Sequence, residues 1–317
     1  MNFLNPEYDH TEVHVSSTHI ARTLQSARSH MMGLFGVRHF NVSPDYDDYI
    51  NSYPHIELSE DYINDTFSQF PDNYDPVPIY NNDLSRDLIY SYGSCPYLRG
   101  MRENRVEEDS YWTKYDNYFK PRIYHKISEI LQIDEDMKFT EAYNFGDALL
   151  SLEFEGIISQ DNFTQQEWKD LKNLQLPFLL NSFSNLGNKM MISKLFNPIF
   201  EMMLTHLGQS RYPNLIESFQ GIKKYILYSS HDLQISHLLK FFKPENIYVD
   251  YIPYASNFIF ELYKADNGTD YIKIFYNNEQ LKMPYCSNID CDFDEFIEFY
   301  EYVALTPEEL ISLCNLS

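Results

Sequence analysis

The residues of this 317-residue chain best suited to chemistry are one arginine near the amino terminus and a histidine–aspartate pair some two hundred positions later. The pair closes the stretch Tyr225-Ile226-Leu227-Tyr228-Ser229-Ser230-His231-Asp232, an apolar run that stops at His231 and Asp232. A short continuous apolar run reads as a buried parallel strand, and open α/β sheets bind ligands just beyond the carboxyl ends of such strands. Arg22 falls in or near the first turn of a helix. Unpaired N–H groups and the positive dipole end make that place a ready anion site, to which a guanidinium adds a bidentate donor. Taken singly, a His-Asp step is also simple turn chemistry and a single arginine more often lies on a solvated helix face.

The elements that must position these groups follow from periodicity. Ile20, Leu24, Ala27, Met31 and Leu34 recur at helical spacing, Ser17 or Thr18 can cap the start, and Gly36 can close the end. After Asp232 the apolar pattern resumes at Leu233, Leu238, Leu239 and Phe242, which places His231 and Asp232 on the turn between strand and helix.

In this order the two segments resemble the histidine acid phosphatase family. That family carries an S-T-x-x-x-R-T-x-x-S-A helix start and a later S-x-H-D strand end, matched here by Ser17-Thr18 with Arg22-Thr23-Leu24-Gln25-Ser26-Ala27 and by Ser229-Ser230-His231-Asp232. Pro253-Tyr254-Ala255-Ser256-Asn257 running into Glu261-Leu262-Tyr263 is similar to its P-Y-A-S-C-x-x-x-E-L-Y stretch, and Cys286 to Cys291 to its C-terminal cysteine pair. The resemblance implies a three-layer α/β fold of the phosphoglycerate-mutase type with an inserted helical lobe. It implies a discontinuous α/β domain of residues 1–83 and 216–317 and a helical cap of residues 84–215.

It also implies a two-step hydrolysis of phosphomonoesters through a phosphohistidine, with no cofactor and no metal. Arg22 and His231 would hold the phosphoryl oxygens and Asp232 would protonate the leaving oxygen, which requires a protonated carboxyl and favours acid conditions. The His-Asp step points toward the acid phosphatase and phytase branches. Inorganic phosphate and phosphomonoesters are the expected ligands.

The family's nucleophile sits in an R-H-G-x-R-x-P motif ahead of the S-T-x-x-x-R segment, and the chain holds no such motif. Arg38-His39-Phe40 lacks the glycine and second arginine and follows Arg22 rather than preceding it. His10, His14 and His19 read as ordinary surface or strand histidines. The expectation is a truncated or incompletely predicted acid phosphatase, its first central strand, nucleophile loop and signal peptide lost together, with little or no turnover. The alternative is a non-catalytic phosphate-binding or partner-binding pseudo-phosphatase. A phosphoglycerate-mutase-like transferase ranks last.

Composition bounds these readings. The chain is 44% hydrophobic and 16% aromatic, enough to build a core and too much for disorder. No apolar stretch is long enough to cross a bilayer. A formal charge of −23 argues against general nucleic-acid binding, because no basic stripe is available to neutralise phosphates. Acidic surroundings protonate part of these carboxylates and lower the repulsion of an anionic substrate.

The four cysteines fit no zinc spacing. The resemblance implies two bridges, Cys95 to Cys314 and Cys286 to Cys291, while a third family bridge loses its cysteine to Asn257. Paired cysteines and sequons at Asn41, Asn64, Asn162, Asn267 and Asn315 suit a secreted protein or a lysosomal or vacuolar lumen.

Pro71, Pro76 and Pro78 mark a crossing loop, and residues 84 to about 215 read as mostly helical through positions such as Ile123, Ile127, Ile130 and Leu131, then Leu195, Ile199, Met202 and Met203. Met190, Met191, Met202 and Met203 read as core filler. Asn257–Lys264 and Tyr271–Tyr276, joined through Asp266-Asn267-Gly268-Thr269, read as a hairpin, and Thr306-Pro307-Glu308-Glu309 as the start of a final helix.

Overall fold

The computed structural model describes residues 3–35, 77–83 and 87–315. The expectations for Gly36, Arg38-His39, Asn41, Asn64, Pro71 and Pro76 lie outside the described residues. The chain is a mixed α/β protein that divides into two compact units, Met1–Asp83 with Tyr212–Ser229, and Leu84–Arg211 with Ser230–Ser317.

In the first unit, strand β1 (Val13–Ser17) is followed by helix α1 (Ala21–Phe35) and pairs in parallel with β2 (Tyr225–Ser229), from Val13 opposite Tyr225 to Ser17 opposite Ser229. β1 also takes a bridge from Tyr80, whose N–H donates to the Val15 carbonyl while its carbonyl accepts from the Ser17 N–H. Four of the five β1 residues are buried, as suits a strand paired on this scale. β2 differs from its apolar sequence: all five residues are only half-buried, because among the described residues β2 pairs with β1 alone.

α1 buries Ala27 and Met31 against Val13, Val15 and Val77. Its buried face is rotated from the expected stripe, with Thr23 taking an inward position and Leu34 left exposed. Thr23 can sit inside because its hydroxyl is satisfied locally, donating to the Ile20 carbonyl at 2.8 Å.

The second unit begins with helices α2 (Pro96–Glu107) and α3 (Asp109–Phe119). A π-helical turn at Lys120–Tyr124 leads into α4 (His125–Leu131); Pro121, which has no N–H to donate, falls within that turn. Helices α5 (Phe139–Phe154), α6 (Gln165–Asn173), α7 (Gln175–Asn181) and α8 (Asn185–His206) complete the helical run. Trp112 organises one core, stacking on Phe139 at 5.3 Å and Phe178 at 5.5 Å, with Ile123 and Ile127 buried around it and Ile130 and Leu131 packed at its edge. Met190, Met191, Met202 and Met203 are all buried, as filler should be.

After residue 230 come α9 (Asp232–Phe242), the hairpin β3 (Phe258–Lys264) and β4 (Asp270–Tyr276), then the short β5 (Glu279–Gln280) and β6 (Cys291–Asp292), both antiparallel to β4. The hairpin turn closes with the Ala265 N–H on the Thr269 carbonyl, and Gly268 supplies the left-handed residue at φ 87°. Helices α10 (Phe293–Val303) and α11 (Pro307–Cys314) end the chain. At α11 the Thr306 hydroxyl accepts the Glu309 N–H and Glu309 accepts the Thr306 N–H, the reciprocal cap the sequence implies.

Both expected disulfides form within the second unit. Cys95, at the cap position of α2, bonds Cys314 at the end of α11 with Cα atoms 5.0 Å apart, and Cys286 bonds Cys291 with Cα atoms 5.1 Å apart. The first closes a separation of 219 residues and the second only 5, so the loop entropy removed from the unfolded chain differs greatly. Replacing Cys95 and Cys314 together by serine is expected to cost about 2–5 kcal/mol in denaturant unfolding, and the Cys286/Cys291 double variant distinctly less. Equal losses from the two pairs would contradict this.

Candidate functional site

The first unit fixes the carboxyl ends of β1 and β2 beside the start of α1 through side-chain hydroxyls. Ser17 Oγ donates to Thr23 Oγ1 at 3.0 Å, and Thr18 Oγ1 lies 2.7 Å from the same atom. Ser229 Oγ donates to the Thr23 carbonyl at 2.7 Å, and the Thr18 N–H reaches the Ser229 carbonyl at 3.3 Å. Strand ends and helix start are therefore joined at one buried residue, Thr23. A helical residue next to an inward-pointing one points away from it, and Arg22 is exposed on the first turn of α1.

The hydroxyl cluster was legible only in part. Ser17 and Thr18 read as caps; that Thr23 and Ser229 complete the cluster needed the strand register.

In the second unit, His231 stands at the cap position of α9 with extended backbone, and Asp232 is the first helical residue. Asp232 Oδ1 accepts the Leu233 N–H at 2.8 Å. Ser230 Oγ donates to Gln234 Oε1 at 2.9 Å, and Gln234 Nε2 reaches the Ile89 carbonyl at 3.1 Å, which ties the turn to the segment carrying Tyr90. Tyr90 meets the His231 ring edge-on at 5.2 Å and leans on Tyr92 at 4.4 Å. Burial, then the hydrogen bond to Tyr90, pushes the Tyr92 phenol well up. The Tyr143 phenol also rises, through burial first and the Asp232 and Asp147 charges next, with Arg102 pulling the other way. Tyr251 is pushed up to about 12 by burial, with Asp232 and Asp147 contributing. None of these tyrosines is marked in the sequence, because no spacing sets an aromatic near a site apart from one in a core.

The three amino-terminal histidines fall where strand and surface histidines fall. His10 and His19 are exposed. His14 lies in β1, stacked on Tyr80 at 4.9 Å, edge-on to Phe219 at 4.5 Å, with Nε2 2.7 Å from Ser16 Oγ. Burial, assisted by the Lys223 charge, lowers its pKa to about 4.

Comparison with known proteins decides the family. The model for the histidine phosphatase superfamily, branch 2, matches residues 1–277. The chain belongs to this superfamily. It is 22% identical to bovine lysosomal acid phosphatase over 99% of the chain and 67% of the relative, and 25% identical to rat prostatic acid phosphatase over 98% and 74%. Among solved structures it matches the phytase of Citrobacter braakii with a TM-score of 0.61 at 13% identity, over 99% of the chain and 84% of the phytase. The Hafnia alvei phytase in complex with myo-inositol hexakis sulphate matches at 0.60 and 13%, over 98% and 81%. These likenesses concern the fold.

Two variants examine how this superfamily member holds its strand ends. Thr23→Val keeps the shape but strips the shared hydroxyl, and should cost about 1–3 kcal/mol, the range for leaving buried polar groups unpaired; an unchanged unfolding midpoint would dismiss the cluster. For His14, the unfolded ring takes a proton as pH falls past its ordinary 6.5 whereas the folded ring resists until about 4. Its contribution is thus complete above 6.5, declines between 6.5 and 4, and is flat below. His14→Phe keeps the ring contacts and removes the proton, so its stability should fall less than the wild type's across that window, by up to ~3 kcal/mol.

Proposed function

We propose that this chain is an acid-phosphatase-type protein for phosphomonoesters in which Arg22 and His231 hold the phosphoryl oxygens and Asp232 is the general acid. The observation that carries the reading is the strand register. Ser17 and Ser229 are paired at the ends of parallel strands, Arg22 follows Ser17 by five residues and His231 follows Ser229 by two. A phosphate held there would favour the protonated form of Asp232, since a like charge disfavours ionisation.

Hydrolysis in this family also needs its nucleophile, and residues 1–317 contain no R-H-G-x-R-x-P motif. We propose that the polypeptide of these residues binds phosphate without appreciable turnover. Its lysosomal and prostatic relatives, two disulfides, and exposed Asn162, Asn267 and Asn315 support a lumenal or secreted setting. Residues 84–215 would serve as the cap of the discontinuous α/β domain 1–83 and 216–317, a role that suits the approach of Tyr90 to His231.

The test uses residues 1–317 with p-nitrophenyl phosphate at about pH 5, where free carboxyls are partly protonated. Turnover should be absent, and calorimetric binding of inorganic phosphate should weaken at least about tenfold in Arg22→Ala and in His231→Ala, as loss of a charged hydrogen bond implies. Turnover abolished by either substitution would overturn the non-catalytic reading. Phosphate binding indifferent to both would overturn the site.

A further inference from the structure

Helix α2 carries Arg99, Arg102 and Arg105 at three-residue spacing, which puts neighbouring members on adjoining turns. Arg99 Nη2 donates to the Gly93 carbonyl at 2.6 Å. Arg105 lies 3.9 Å over the Tyr111 ring and 3.8 Å from a Glu108 oxygen. Arg102 is different. Its Nε is buried without a hydrogen-bond partner, and among the described residues no carboxylate pairs with its guanidinium. Its Cζ lies 5.1 Å from the centre of the Tyr92 ring.

In a chain with 47 acidic residues against 24 basic ones, a half-buried arginine that no carboxylate claims among the described residues is conspicuous. A partly desolvated guanidinium whose buried Nε donor is unpaired is costly unless something supplies the acceptor. Its position suggests what that is. Tyr92 holds Arg102 on one side and touches Tyr90 on the other, and Tyr90 touches His231. Tyr143 feels the charges of both Arg102 and Asp232, so cation and acid belong to one neighbourhood of the second unit.

We propose that Arg102 receives a second anionic group of the ligand, making the preferred substrate class a phosphomonoester that bears another phosphate or a carboxylate on its alcohol side. This rests on the reading that His231 and Asp232 face the phosphoryl group. The contacts from His231 through Tyr90 and Tyr92 to Arg102, at 5.2, 4.4 and 5.1 Å, set an upper limit on the span that a ligand carrying both anionic groups has to bridge. The planar guanidinium would hold either group bidentately while Tyr92 keeps its plane fixed.

The experiment measures binding to residues 1–317 by calorimetry with four probes: inorganic phosphate, fructose 6-phosphate, fructose 1,6-bisphosphate and 6-phosphogluconate. The wild type should bind at least one doubly anionic probe about tenfold more tightly than fructose 6-phosphate, beyond the statistical gain of a second equivalent group. The bisphosphate and the gluconate tell a phosphate from a carboxylate as the second anion. Arg102→Met should erase the preference and leave inorganic phosphate binding unchanged; Arg102→Lys should restore part of it. A wild type without preference, a preference that survives in Arg102→Met, or an equal loss for inorganic phosphate in that variant would each overturn the proposal. If inorganic phosphate is bound but the preference is missing, Arg102 alone is misassigned; if inorganic phosphate is not bound, the phosphate site itself falls and this proposal with it.

Discussion

One buried threonine governs the first unit. Thr23 receives Ser17 Oγ, faces Thr18 Oγ1, and offers its carbonyl to Ser229, so β1, α1 and β2 meet at a single side chain and its peptide. Buried hydroxyls are tolerated only when partnered, and the partners here come from the end of β1, the residue that follows it and the end of β2. The constraint also sets a direction. With Thr23 held inside, the helical rotation sends Arg22 outward at the carboxyl end of the parallel pair, the edge at which α/β sheets bind ligands.

The second unit solves a comparable problem with rings and one long bridge. His231 sits on the turn that Gln234 anchors to Ile89, and its ring meets the edge of Tyr90. Burial raises the phenol pKa values of Tyr92, Tyr143 and Tyr251, which marks these rings as a desolvated cluster. Arg102 adds a half-buried cation whose Nε has no hydrogen-bond partner among the described residues.

Local rules were legible in the residues. Thr306, Pro307 and Glu309 announced a capped helix, Asn267-Gly268 announced a hairpin turn, and the methionines of α8 announced a core. The cysteine pairing came from family resemblance, and the disulfides Cys95–Cys314 and Cys286–Cys291 agree with it. Long-range relations were not legible. Nothing in the sequence near Thr23 names Ser229 as its partner 206 positions away, and the half-burial of β2 depends on which neighbours a strand has, not on how apolar it is. Tyr90 and Arg102 escaped for the same reason: aromatic and basic residues are plentiful, and only proximity to His231 or the lack of a counter-charge gives them meaning.

The cross-link between the cap of α2 and the end of α11 encloses almost the whole second unit in one covalent ring. A protease that nicks any exposed turn inside that ring severs the backbone without freeing a fragment, since both halves stay tethered through sulfur. In a compartment rich in hydrolases, a cleaved molecule would remain a single body for as long as its surroundings stay oxidising.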